Sequence, residues 1–199
     1  MARRADRASA FVRRLPIGER LPLGDLLSND LFPFEGGILT RPLEPPILPE
    51  PERRGQGGEE CLSCDPSGEE IWQDAHWWLR APREPSGLPL ITILIPRAHH
   101  DLEDLPPELA AELGQLLPRV SQAIHRIGGI GRVHVNRWGD GSEHVHLWFV
   151  PRPRGMWQMR GAMLAVWDDL LPRVPKAEWD RNRRTVARAM AEQGGRALA

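Results

Sequence analysis

Glu143-His144-Val145-His146-Leu147-Trp148-Phe149-Val150-Pro151-Arg152 is the stretch from which the rest of the chain is read. Its alternation is that of a β-strand, on which successive side chains face opposite ways. His144, His146 and Trp148 then share one side, while Val145, Leu147 and Phe149 face a core. Two imidazoles stand about 6–7 Å apart on such a face. The plain reading is a half-buried strand with incidental polar residues. The preceding turn, Gly139-Asp140-Gly141-Ser142, argues for more, because glycine amides and a hydroxyl are the material of an anion-binding nest.

Working outward, Arg132–Trp138 forms a second strand, paired as a hairpin through that turn, with Asn136 on the face of His134 and Trp138. Upstream, Leu109, Leu113, Leu116, Leu117, Val120, Ile124 and Ile127 recur at three- and four-residue steps, which predicts an amphipathic helix over 106–127, kinked at Pro118. Before it come a nearly continuous apolar strand, Leu90–Ile95, and an aromatic-rich strand, Ile71–Leu79. Two helices are expected downstream, at 158–171 and 176–193. A hairpin between helices, without regular β/α alternation, gives the α+β class: an antiparallel β-sheet with packed helices.

Residues 1–57 differ in kind. Pro42, Pro45, Pro46, Pro49 and Pro51 discourage helix, and Arg3, Arg4, Arg7, Arg13 and Arg14 make a basic cluster, so this is read as an extended Pro/Arg-rich arm with apolar pairs such as Leu26-Leu27. The arm ends at Gly55-Gln56-Gly57-Gly58. A domain over 58–172 and a C-terminal helical segment over 173–199 complete the organisation. The 199 residues are 41% hydrophobic and 27% charged with a formal net charge of −1, and no stretch has the apolar length of a membrane helix. These values argue against a nucleic-acid partner and against a membrane, and with no secretory signal at the start they predict a cytoplasmic protein.

A body of about 150 residues buries enough surface to stand without disulfides, which leaves Cys61 and Cys64 for other work. A C-x-x-C pair is a redox dithiol, half a metal site, or chance. The redox use wants a helix start after a buried strand. Here the pair follows glycines and precedes Pro66 and Gly68, so a zinc knuckle fits better, completed by His99 or His100 and by His144. His76, His125 and His134 are given structural roles.

Ile95-Pro96-Arg97-Ala98-His99, Val135-Asn136 and Gly141-Ser142 followed by His144-Val145-His146, in this order, resemble the histidine-triad (HIT) superfamily, especially its zinc-bearing branch related to galactose-1-phosphate uridylyltransferase. The resemblance covers roughly 58–172 and implies a HIT-like fold. It implies His146 as the nucleophile toward a nucleotide α-phosphate, with Asn136, Gly141, Ser142 and Trp148 about the phosphate or nucleotide. It also implies structural zinc on Cys61, Cys64, His99 and His144. The activity implied is a nucleotidyl hydrolase or nucleotidyltransferase working through a nucleotidyl-histidine intermediate on a nucleotide or nucleotide conjugate. The alternative is a catalytically inactive zinc-containing nucleotide-binding or regulatory module. Pairing as a homodimer is implied by the family as well. The chain departs from the pattern at the third triad position, where Trp148 replaces histidine or the uridylyltransferase glutamine, and in the short loop between Asn136 and His144.

Overall fold

The structure, a computed structural model, describes residues 12–24 and 31–199. Arg3, Arg4, Arg7 and the Leu26-Leu27 pair lie outside the described residues. The chain divides into two compact units, Met1–Glu52 and Arg53–Ala199. In the first, a 3-10 turn at Val12–Arg14 precedes a short antiparallel contact between Arg20 and Pro42. It is held by Gly18 N–H on the Leu43 carbonyl at 2.7 Å and the Thr40 hydroxyl on the Leu21 carbonyl at 2.7 Å.

The second unit contains Gly55–Gly58, assigned above to the arm's end, and the final helix. Its elements are β1 (Glu70–Gln73), β2 (Trp77–Arg80), β3 (Thr92–Pro96), α1 (Pro107–His125), β4 (Ile130–Asn136), β5 (Leu147–Pro153), α2 (Leu164–Leu170), α3 (Lys176–Ala191) and β6 (Arg196–Ala197). The strands form one sheet in the order β4-β5-β3-β2-β1-β6, antiparallel at every pairing. This is the expected α+β class. Among the described residues, no helix is long and apolar enough to cross a membrane.

Register explains the two faces. Leu79, Leu94 and Leu147 stand in one cross-strand row and Arg80, Ile93 and Trp148 in the next, so alternate rows belong to opposite faces. The first face carries Leu79, Leu94, Leu147 and Phe149 into the main core against Leu113, Leu116, Val120 and Ile124 of α1 and Trp179, Val186 and Met190 of α3. Trp179 is fully buried, its indole N–H donating to the Pro82 carbonyl at 2.8 Å. On the other face a smaller cluster of Leu88, Ile91, Val150, Met159 and Leu164 covers part of β5, with Trp148 and Trp167 packed against it.

Several expected boundaries move. Ile71–Leu79 is two strands, not one, because the Asp74 carboxylate accepts from the amides of His76 (2.9 Å) and Trp77 (2.7 Å) and turns the chain back. The strand expected at Glu143 begins at Leu147, which leaves His144 and His146 in the segment leading into β5. Gly139–Ser142 is therefore not a tight hairpin turn but the middle of a longer connection between β4 and β5. The helix expected over 158–171 is two 3-10 turns, Trp157–Met159 and Gly161–Met163, followed by the short α2.

Candidate functional site

The Cys61-Leu62-Ser63-Cys64 knuckle closes on itself through the Cys64 amide and Cys61 carbonyl at 3.0 Å. Arg80 on β2 holds it from below. Its guanidinium donates to the carbonyls of Asp65 (2.6 Å) and Ser63 (3.3 Å) and, through Nε, to Glu70 at 2.8 Å. Gly55 packs on the knuckle with a φ of +73°, and a Cβ there would stand 3.0 Å from Cys61 Sγ.

β3 ends at Pro96 and delivers His99 to the same place, while the segment before β5 delivers His144. His144 is fully buried. Its Nε2 lies 2.9 Å from the Pro96 carbonyl, which accepts only, so Nε2 carries the hydrogen and the lone pair on Nδ1 faces the sulfurs. Nδ1 is 3.4 Å from Cys61 Sγ and 3.5 Å from Cys64 Sγ; His99 Nδ1 is 3.6 Å from Cys64 Sγ. Tetrahedral zinc with ordinary Zn–S and Zn–N bonds separates its sulfur and nitrogen ligands by about 3.6 Å. All four donor atoms lie within 4.8 Å of one another. The set therefore fits zinc in number, chemistry and spacing, with a carbonyl orienting one ligand from behind. His99, not His100, lies in the cluster; His100 instead accepts the Val145 amide on its carbonyl at 2.8 Å.

The electrostatics agree with a ligand set. Burial pushes the His144 pKa down against the opposing Pro96 bond, and nearby His99, Arg80 and His146 push it further, which favours the neutral ring. Burial and the adjacent Cys61 push the Cys64 thiol up to about 11, so at neutral pH Cys64 becomes a thiolate only beside a cation.

Beyond the cluster, His146 is half-buried, and its Nδ1 donates to the His144 carbonyl at 2.8 Å. In the neutral ring, Nε2 then keeps its lone pair. Trp148 stands beside it with ring centroids 6.5 Å apart. Trp138, 49% exposed, meets Trp148 edge-on at 6.1 Å. Asn136 pairs across the sheet with Trp148. These residues come together at one end of β4 and β5.

Gly141 and Ser142 each accept hydrogen bonds from within the protein. The Gly141 carbonyl accepts from the backbone N–H (3.3 Å) and Nε (3.2 Å) of Arg54, and the Glu143 amide donates to the Arg54 carbonyl at 3.0 Å. The Ser142 hydroxyl accepts the His144 amide at 3.4 Å. Residues 53–57 thus run along the loop, bonded to the Gly141 carbonyl and the Glu143 amide.

Asp101 had no sequence signal, and it anchors that arrangement. Its buried carboxylate takes a guanidinium N–H from Arg53 at 2.5 Å and another from Arg137, and caps the Leu102 amide at 2.7 Å. Burial alone pushes this carboxyl up; the bonds from Arg137, Leu102 and Arg53 outweigh it and hold the pKa below the usual range.

No protein-family model and no curated protein matches the chain. Solved structures do. A hypothetical histidine triad nucleotide-binding protein from Sulfolobus tokodaii superposes with a TM-score of 0.50 at 14% identity, over 66% of this chain and 93% of that one. A Zn-bound histidine triad family protein from Mycobacterium smegmatis gives 0.46 at 22% identity, over 69% and 89%. A uridylyltransferase mutant gives 0.44 at 19%, over 67% of this chain and 48% of that one. With the antiparallel sheet, its helices and the order of the His-bearing segments already in place, the chain has the fold of the histidine-triad superfamily.

Proposed function

We propose that this chain acts on the α-phosphate of a nucleotide or nucleotide conjugate as a HIT-like nucleotidyl hydrolase or transferase, with His146 as the nucleophile. The observation that carries the reading is the bond from His146 Nδ1 to the His144 carbonyl, which fixes the tautomer and leaves Nε2 as a lone-pair donor on a ring beside Trp148, whose backbone pairs with Asn136. Nε2 attacks phosphorus, and the bond from phosphorus to the leaving oxygen or nitrogen breaks. The departing atom takes up a proton, and a nucleotidyl-histidine remains. Water or an acceptor hydroxyl or phosphate then displaces His146. Zinc on Cys61, Cys64, His99 and His144 has a structural part: it would fix the residue whose carbonyl orients the nucleophile, two positions away.

The test compares wild type with His146→Ala on nucleoside phosphoramidates, dinucleoside polyphosphates and nucleotide sugars, with mass spectrometry of quenched protein. A nucleotidyl adduct and turnover in wild type, both lost in the variant, are expected. Equal rates would remove His146 from the mechanism.

The second reading is a zinc-containing nucleotide-binding module without turnover. It is favoured by Trp148, which, edge-on to Trp138, puts an indole where a hydrogen-bonding triad residue is expected. It predicts saturable nucleotide binding by calorimetry and no adduct.

A further inference from the structure

Two arginine-lined hollows adjoin on the second unit, and the function above uses neither. The first, of about 520 Å³, is lined by Arg181, Arg184 and Arg188 of α3 together with Arg126 and Thr185. The second, of about 570 Å³, lies where β5 finishes, and Arg132, Arg154, His125 and Trp157 are among its lining residues. They meet at the C-terminus of α1, where consecutive residues serve one hollow each: His125 the second and Arg126 the first. We propose that the two hollows form one track that binds a single-stranded nucleic acid.

The helix pattern sets the first half of the track. Arg181, Arg184 and Arg188 recur at steps of three and four, so they share one face of α3, opposite the Trp179, Val186 and Met190 stripe that enters the core. All three are exposed, and they spread their charge over about 10 Å of helix axis. Glu192 is the one carboxylate among the residues lining either hollow, and it stands 3.7 Å from Arg126 with both side chains more than half exposed, where such a pair is weak. In the second half, Arg132 and Arg154 are exposed as well. Cations spread over two adjoining hollows suit a chain of repeating phosphates better than one compact anion, and guanidinium forks match phosphate oxygens. Trp157 separates a nucleic acid from an acidic peptide, and a single strand from a duplex. It is 64% exposed, with Arg160 4.6 Å and Arg152 5.7 Å from its ring centroid, and an unpaired base has a flat face to stack on such a group. The net charge of −1 gave no hint of this, because it averages the track with acidic residues elsewhere.

The test is fluorescence anisotropy of labelled single-stranded oligonucleotides of about 12 residues, one of DNA and one of RNA, titrated with the full chain. Wild type is expected to bind with a Kd of roughly 10 μM at low salt, and log Kd to rise with log salt at a slope of about 3, the value for about four phosphates neutralised on a single strand. Binding of either polymer keeps the assignment, and the tighter one names the backbone. Arg184→Gln with Arg188→Gln, and Arg132→Gln with Arg154→Gln, are each expected to weaken binding about fivefold or more and to lower the slope. Arg83→Gln with Arg97→Gln, which removes the same charge at exposed positions outside both hollows, is expected to stay within about twofold. Trp157→Ala is expected to weaken binding about tenfold. His146→Ala is expected to bind like wild type, so loss of the nucleotidyl activity and loss of the track are separately visible. No binding by wild type at about 100 μM, a slope near zero, a loss confined to one of the two hollow pairs, or equal weakening by the Arg83 and Arg97 pair overturns the assignment. So does tighter binding of a duplex or of polyglutamate of the same length.

Discussion

The two ends of the β4–β5 pair hold different kinds of polar cluster. At the end where β5 begins, Cys61, Cys64, His99 and His144 aim lone pairs inward, and the groups behind them are bonded: His144 to Pro96, Arg80 to Ser63, Asp65 and Glu70. At the end where β5 finishes, Arg132, Arg152, Arg154 and Arg160 line a hollow together with His134 and Trp157, and Arg132, Arg152 and Arg160 donate to backbone carbonyls. The first arrangement is complete once a cation enters. One is built from chain segments that would separate without their ion. The other stands on two paired strands, so it is formed whether or not a ligand is present. Stability should therefore depend on the first end and hardly at all on the second.

The largest effect expected is at the knuckle. Purified protein should carry one equivalent of zinc, and Cys64→Ser should lose it and lower the melting temperature by roughly 10 °C, since binding energy at such a site is folding energy. Metal analysis with scanning calorimetry checks both, and chelator should reproduce the shift in wild type. Next comes Glu70→Ala, which leaves the buried Arg80 guanidinium without its carboxylate and should cost about 3–5 kcal/mol in urea unfolding. Asp101→Asn, which weakens the hold on Arg53 and Arg137, should cost about 1–3 kcal/mol by the same measurement.

A smaller effect follows from pH. Burial pushes the Glu70 carboxyl up, but the Ser67 bonds and Arg80 outweigh it and hold its pKa below the ordinary value. Because the folded value is the lower one, this stability is complete above the unfolded carboxylate range near pH 4 and disappears as pH falls through the folded pKa. Unfolding free energy of wild type should drop across that window more than that of Glu70→Gln. Smallest of all, Arg132→Gln with Arg154→Gln should leave the melting temperature within about 1 °C. A larger fall would end the contrast between the two ends.

Much of this was legible in the sequence for identifiable reasons. The α1 stripe of Leu113, Leu116, Val120 and Ile124 has a 3.6-residue period that no strand can satisfy, and all four are buried. The segment Leu90–Ile95 is apolar on both faces because β3 lies inside the sheet, between β5 and β2. The Cys61, Cys64, His99 and His144 cluster could be named because cysteines three apart and neutral imidazoles are chemically restrictive. What stayed hidden depended on single polar atoms. The Asp74 carboxylate folded an apparent strand into β1 and β2, and nothing in the aromatic pattern of Ile71–Leu79 announces it. His144 and His146 read as strand residues because their alternation persists, yet a long connection postpones pairing until Leu147. The use of Gly141 and Glu143 by Arg54 is a contact between residues far apart in sequence, which no local pattern records.

The Val145 amide donates to the His100 carbonyl, and Val145 sits between the inward-facing ring of His144 and the ring of His146. That bond joins the stretch after β3 to the stretch before β5, so this hydrogen cannot exchange with deuterated solvent until the two part. Its exchange rate is thus a clock for the opening of the knuckle, readable at one peptide position.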